Sequence, residues 1–129
     1  MDDAHETGMA MRRQVLGTDH VARAEAAKTD LDTDFQALIT DAAWGRVWAR
    51  GTIALRERSM LTVALLAALG NFEELEMHLR ATTRTGASRA DIAEALLHVA
   101  IYAGVPRANH GFAIAKRVFA EMEREDGDV

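Results

Sequence analysis

A single proline, Pro106, stands in a chain of 129 residues, and no Asn-Gly or Asp-Gly pair separates two alternating apolar runs. Strands need such turn chemistry together with a period-2 apolar pattern, and neither is sustained here. The glycines fall instead where helices should stop, so the chain is read as all-α. Residues 3–16 form a first helix ending at Gly17. Thr33 and Gln36 have the Thr-x-x-Gln form of a capping box, and Phe35, Leu38, Ile39 and Ala42 follow at helical spacing. Gly45 is expected to break or bend that helix before Trp48. A third helix starts near Arg56 and is apolar all round to Leu69, the pattern of a buried central helix.

Gly70 suits a left-handed residue at that helix's end. Asn71, with Glu74 three residues on, caps a helix that runs to Gly86. Ser88 and Asp91 cap the next, which reaches Gly104, and Pro106 suits the first turn of the last helix. The polar tail from Glu121 is expected to fray. About six helices result, in one domain over residues 1–129 with its core at about residues 33–120.

Composition narrows the chemistry. Apolar residues make up 49% of the chain, enough for a core, and the net charge is −5 with acids and bases interspersed. No basic stripe exists to displace the counterions of a nucleic acid. Cysteine is absent, which removes disulfides, thiolate nucleophiles and CxxC redox centres. The early residues are acidic rather than the start of a signal peptide, so a cytoplasmic location is expected. The longest apolar run, residues 60–69, is far short of the roughly 20 residues that span a bilayer.

Five histidines are present: His5, His20, His78, His98 and His110. None belongs to an HExxH pattern, and there is no GxSxG elbow or glycine-rich phosphate loop, so no metal site is read. His78 lies one position from the Phe72/Leu75/Leu79 stripe, with Glu74 one turn before it to orient the ring. An exposed Glu74–His78 ion pair is the plainer alternative. Glu57, Arg58 and Ser59 cluster where the apolar helix begins. Arg56 and Arg58 oppose the helix dipole there, so at least one needs another partner. Trp44 and Trp48 are core residues or pocket walls, Tyr102 a core-edge residue that could direct its hydroxyl to a site. His98 is read as a core histidine and His110 as a surface one.

Three blocks in order resemble one known family. They are Arg58-Ser59-x-Leu61-Thr62, Asn71-x-Glu73-Glu74-Leu75-x-x-His78-Leu79-Arg80-Ala81, and Ile101-Tyr102-x-Gly104-x-Pro106-x-Ala108-Asn109. With Phe35-Gln36-x-x-Ile39-Thr40-x-x-Ala43-Trp44-Gly45-x-x-Trp48 and Arg12-Arg13-x-Val15-Leu16-Gly17, nearly the whole chain is similar to the carboxymuconolactone decarboxylase family. The resemblance implies the AhpD-like helical fold, assembled as a ring-shaped homohexamer, a trimer of dimers. It also implies a cofactor-independent reaction on a lactone carboxylate: 4-carboxymuconolactone to 4-oxoadipate enol-lactone and carbon dioxide, in the protocatechuate branch of the β-ketoadipate pathway.

The redox relatives carry CxxC followed by a histidine. Here that histidine corresponds to His78, while Asn71 and Glu74 stand at the cysteine positions, which excludes thiol peroxidase chemistry. The resemblance makes His78 the catalytic acid and Glu74 its orienting partner, with Glu57 ranked below them. Arg58 and Arg80 suit recognition of a carboxylate, and Trp44 and Tyr102 fit as pocket walls. A related decarboxylase acting on another lactone or keto acid, and a catalytically silent oligomeric binding protein, are the alternative readings.

Overall fold

The computed structural model describes residues 3–127, and among them it holds eight α-helices, one π-helix and no strand. Contacts divide the chain into two compact units, the first ending at Ala54 and the second beginning at Leu55.

The first unit contains α1 (Ala4–Leu16), α2 (Thr18–Ala26), α3 (Thr33–Ile39) and the π-helix (Thr40–Trp48). Gly17 ends α1 with φ +95°, a conformation glycine reaches without strain, and α2 starts at once where the sequence reading had no helix. The capping box expected at Thr33 does not form. Thr33 is already the first helical residue, and its hydroxyl donates to the Thr29 carbonyl at 2.7 Å.

Nor does Gly45 break its helix. The backbone widens into a π-helix that runs through it, with the Ala49 N–H reaching the Trp44 carbonyl five residues back at 3.0 Å. What Gly45 supplies is proximity: a Cβ there would lie 2.2 Å from the Ala4 carbonyl oxygen. Gly8 on α1 is its counterpart, since a Cβ there would lie 2.1 Å from the Thr40 carbonyl oxygen. Two facing glycines thus let α1 and the π-helix touch backbone to backbone.

One buried guanidinium joins all four helices of this unit. Arg12 on α1 is 4% exposed. It donates to Glu25 Oε1 on α2 at 3.2 Å, to Gln36 Oε1 on α3 at 3.2 Å and to Thr40 Oγ1 on the π-helix at 3.4 Å. The Glu25 carboxyl is held below the ordinary carboxylate range, first by a hydrogen bond from Lys28 and then by the Lys28 and Arg12 charges, against the opposing cost of burial.

The second unit contains α4 (Leu55–Leu69), α5 (Phe72–Arg80), α6 (Thr82–Thr85), α7 (Arg89–Tyr102) and α8 (Val105–Gly127). Here α4 packs on α5 and α7, and α8 packs on the same two and on α4. Leu75, Leu79, Ile92, Leu96, Val63 and Val118 are the fully enclosed centre. Gly70, at φ +77°, closes α4 as expected: the Asn71 N–H returns to Leu66 O at 2.9 Å and the Gly70 N–H to Ala67 O at 3.2 Å. Asn71 precedes α5 but its side chain makes no capping bond. The helix expected to reach Gly86 divides at Ala81, where the Thr82 hydroxyl donates to the Leu79 carbonyl at 2.7 Å.

The Ser88 cap is reciprocal, as expected. Asp91 N–H donates to Ser88 Oγ at 3.0 Å and Ser88 N–H to Asp91 Oδ2 at 2.9 Å. Asp91 also supplies the partner that Arg56 lacked in sequence, accepting from Arg56 Nε and Nη2, each at 2.7 Å. Pro106 occupies the first turn of α8, and that helix continues to Gly127 rather than fraying at Glu121. Residues 128–129 of the expected tail lie outside the described residues.

The largest departure concerns α4, which is not buried all round. Only Ser59, Val63 and Ala67 are buried, while Leu61, Leu65 and Leu69 on the opposite side are each more than half exposed.

Two expected outcomes follow from these contacts. Gly45→Ala should destabilise the protein by about 1–3 kcal/mol, because backbone rather than a flexible side chain stands in the way; an unchanged thermal midpoint would contradict so close an approach. The Asp91 carboxyl is held well below its ordinary range, chiefly by the Arg56 hydrogen bond and then by Ser88. A folded pKa below the unfolded one gives stability that is complete above the ordinary carboxylate range and lost as pH falls toward the folded value. In thermal unfolding across pH, Asp91→Asn should therefore lower the midpoint at neutral pH and flatten its acid decline, while keeping an acceptor for the cap.

Candidate functional site

Among the described residues no group of three His, Asp or Glu side chains could hold a metal ion, and no helix is long and apolar enough to cross a membrane. The chemistry-bearing side chains of the second unit lie on α4 and α5. The short link Gly70–Asn71 turns α5 back against α4, and α6 also packs on α4. This hairpin packs α5 along α4.

His78 sits in the second half of α5 and is 7% exposed, beside the core residues Leu75 and Leu79. An exposed ion pair is therefore not its setting. Glu74, one turn earlier, is exposed. On α4, Glu57 is exposed, Arg58 half-buried and Ser59 wholly buried. The Ser59 hydroxyl oxygen has no hydrogen-bond partner among the described residues. A buried hydroxyl in that condition costs about 1–3 kcal/mol, so Ser59 joins the candidates although its sequence context assigned it no role.

Helix phase separates the two candidate arginines. Arg80 follows His78 by two residues, about 200° around α5, and leaves on a different face. Its guanidinium is taken up by acids: it pairs with Glu121, with Glu125 at 3.4 Å and with Glu76 at 3.9 Å. Arg117 braces the same seam between α5 and α8, donating to Glu76 at 3.0 Å and to Glu121 at 3.2 Å. The Arg117 hydrogen bond holds the Glu76 carboxyl below its ordinary range against burial, and the Arg117 and Arg80 charges add to it. Three carboxylates thus already surround Arg80, whereas Arg58 stands among the candidate residues of α4.

The aromatic candidates separate too. Trp44 in the first unit is buried and packs against Trp48 with ring centroids 5.0 Å apart. Tyr102 ends α7 and is 85% exposed, its ring stacked on that of His98 at 6.2 Å. His98 is likewise exposed and bonds through Nδ1 to the Glu94 carbonyl at 3.3 Å, so it is not a core histidine. His110 is a surface residue, as expected, with its ring 3.8 Å from that of Phe72. Of the seven residues singled out in sequence, the second unit brings Glu57, Arg58, Glu74 and His78 onto two packed helices. Arg80 and Tyr102 stand apart from them, in the seam with α8 and at the outer end of α7.

Such a set offers a water-poor imidazole, a cation and acids, without a thiol or a metal cluster. It suits proton transfer to a carbon acid and recognition of a carboxylate.

Comparison with known proteins agrees with this inventory. The family model described as "Carboxymuconolactone decarboxylase family" matches residues 33–117. A protein of Acinetobacter baylyi named 4-carboxymuconolactone decarboxylase is 38% identical over 121 residues, 94% of this chain and 90% of that one. Nitrosuccinic acid decarboxylase npaB of Metarhizium robertsii is 32% identical over 117 residues, covering 91% of this chain and 82% of its own. An uncharacterised protein of Paracoccus denitrificans is 27% identical over 84 residues, 64% of this chain and 63% of its own.

Proposed function

Since the chain belongs to the carboxymuconolactone decarboxylase family, we propose that it decarboxylates 4-carboxymuconolactone to 4-oxoadipate enol-lactone. The observation that carries this reading is His78, an ionisable ring buried on α5 beside the core residues Leu75 and Leu79. The full-length likeness to a named lactone decarboxylase supports the same substrate.

In this reaction the bond from a ring carbon to its carboxylate breaks, and carbon dioxide leaves. The electron pair passes through the ring double bond to the lactone carbonyl oxygen, giving a dienolate. A proton then returns to the carbon next to that carbonyl. The substrate carries its own electron sink, so the protein has three tasks. It holds the second carboxylate, donates to the developing enolate oxygen and delivers the proton.

His78 is the proton donor in this scheme, since imidazole is the side chain best suited to exchange a proton near neutral pH. Glu74 orients it, and Glu57 is a secondary acid. Arg58, half-buried at the start of α4, holds the retained carboxylate, while Arg80 belongs to the seam with Glu76, Glu121 and Glu125. The leaving carboxylate should stay weakly paired, since a strong ion pair would stabilise the ground state. The enzyme works in the cytoplasm as a homohexamer, a trimer of dimers.

A second reading is favoured by the npaB likeness. Nitrosuccinic acid places its leaving carboxylate on the carbon that bears the nitro group, so the departing pair forms a nitronate. The retained carboxylate stands on the neighbouring CH2, as in the lactone. One arginine and one acid could serve either molecule, and the shape of the pocket would decide between them.

The deciding assay mixes purified protein with freshly generated 4-carboxymuconolactone, and separately with nitrosuccinate, and follows carbon dioxide release. Turnover of the lactone is expected; a folded protein inert on it but active on nitrosuccinate would transfer the assignment to the second reading. His78→Ala should lower kcat by about 10²–10⁴-fold, as expected for loss of a general acid, and a loss below about tenfold would move that role elsewhere. Arg58→Ala should raise KM by about 10–100-fold through loss of a charged hydrogen bond. Arg80→Ala should leave KM within about threefold, and the reverse ranking would make Arg80 the substrate cation.

A further inference from the structure

Where α7 and α8 run side by side, they leave a cavity of about 340 Å³. On α8 it is lined by Phe112, Lys116, Phe119 and Glu123, which recur at helical spacing along one stripe. On α7 its wall includes Arg89, Ala93 and Leu96, again one side of a helix. Phe112 and Phe119 are seven residues apart, about 10 Å along α8. Ala93, on the α7 wall, is too small to fill the space they leave. A mostly apolar cavity of this volume with a few polar groups at its edge has the make-up of a small-ligand site. None of Glu57, Arg58, Ser59, Glu74 and His78 lines it.

The charges around this cavity differ in what they already hold. Arg89 pairs with Glu123 and lies over the Phe119 ring, 5.0 Å from its centroid. That guanidinium and that carboxylate therefore answer each other. Lys116 is exposed and makes no ion pair among the described residues, although Arg117 beside it meets both Glu76 and Glu121. In a chain of net charge −5, a cation left over at the edge of an apolar slot sets the sign of what the slot accepts. We propose that the α7–α8 cavity binds a small aryl carboxylate, its ring between Phe112 and Phe119 and its carboxylate on Lys116. The phenyl side chains favour an aromatic ring over an aliphatic chain of equal size. The ammonium favours an anion over a neutral or cationic ring, because Glu123 already has Arg89. This inference does not depend on the decarboxylase reading.

Titration calorimetry with phenylacetate, benzyl alcohol and benzylamine tests this on the full chain. The Arg58→Ala variant serves as a second background, because it removes the cation assigned to the catalytic site. Phenylacetate is expected to bind both proteins saturably with a Kd near or below about 1 mM. The alcohol and the amine should bind at least about tenfold more weakly, for want of the charged contact. Lys116→Glu, a change at an exposed position, should keep its helical circular dichroism and weaken phenylacetate by about 10–100-fold. Ala93→Trp should abolish binding by filling the slot; if that variant does not fold, Lys116→Glu decides alone. Failure of phenylacetate to saturate the wild type by about 10 mM, roughly ten times that Kd, would overturn the proposal. So would binding that survives Lys116→Glu and is lost in Arg58→Ala, which would place the ligand on α4. Tighter binding of benzylamine than of phenylacetate would assign the cavity to cations and refute the idea.

Discussion

Each compact unit closes around an ionisable side chain taken out of water, and burial of that kind is tolerated only where the surroundings meet it. In the first unit the side chain is Arg12. A guanidinium cannot escape the cost of burial by losing its proton, so acceptors must be brought to it. Glu25, Gln36 and Thr40 come from three different helices, which makes one group the common partner of the whole unit. Gly8 and Gly45 remove the side chains that would otherwise hold α1 away from the π-helix. In the second unit the buried group is His78, flanked along α5 by Leu75 and Leu79 at the centre of the core. Its ring is therefore placed by packing rather than by a loop, which suits the proton-donor role proposed for it.

Much of the second unit was legible in the sequence because its signals are local. Ser88 with Asp91, Gly70 at the end of α4 and Pro106 in the first turn of α8 each act within a turn or so of their own position. The misreadings share the opposite character. Gln36 looked like one half of a capping box, but its amide oxygen accepts from Arg12, 24 residues away. Gly45 looked like a breaker, yet its meaning lies in Ala4 on another helix. Neither partner can be found within a window of a few residues. The π-helix is beyond such reading for the same reason: its five-residue hydrogen bonds leave no composition of their own.

The candidate site was legible as a set of residue types and not as an arrangement. Sequence alone treated Arg58 and Arg80 as equivalent cations. Two residues of helix separate Arg80 from His78, and that phase delivers it to the acids of α8. Helical spacing could have raised the doubt, because Glu121 and Glu125 lie one turn apart on the last helix. Nothing local could have marked Ser59, whose importance comes from being enclosed. Leu61, Leu65 and Leu69 show the converse limit. Hydrophobicity around a helix says that cover is needed and is silent on whether it comes from the same chain.

The positions that carry cysteine in the redox relatives explain how one helical frame can serve two chemistries. Asn71 precedes α5, and Glu74 lies in its first turn, both exposed, while His78 lies one turn deeper and buried. A thiol pair at the outer positions would make that end a nucleophile, with the histidine as its base. With an amide and a carboxylate there, that end offers no thiolate, and the role proposed for His78 is to carry a proton. Decarboxylation of an activated lactone asks for that and no more, because the substrate stores its own electrons in a dienolate. The remaining demand is to keep bulk water from the carbon that receives the proton. His78 meets part of that demand by its own burial, standing 7% exposed beside Leu75 and Leu79.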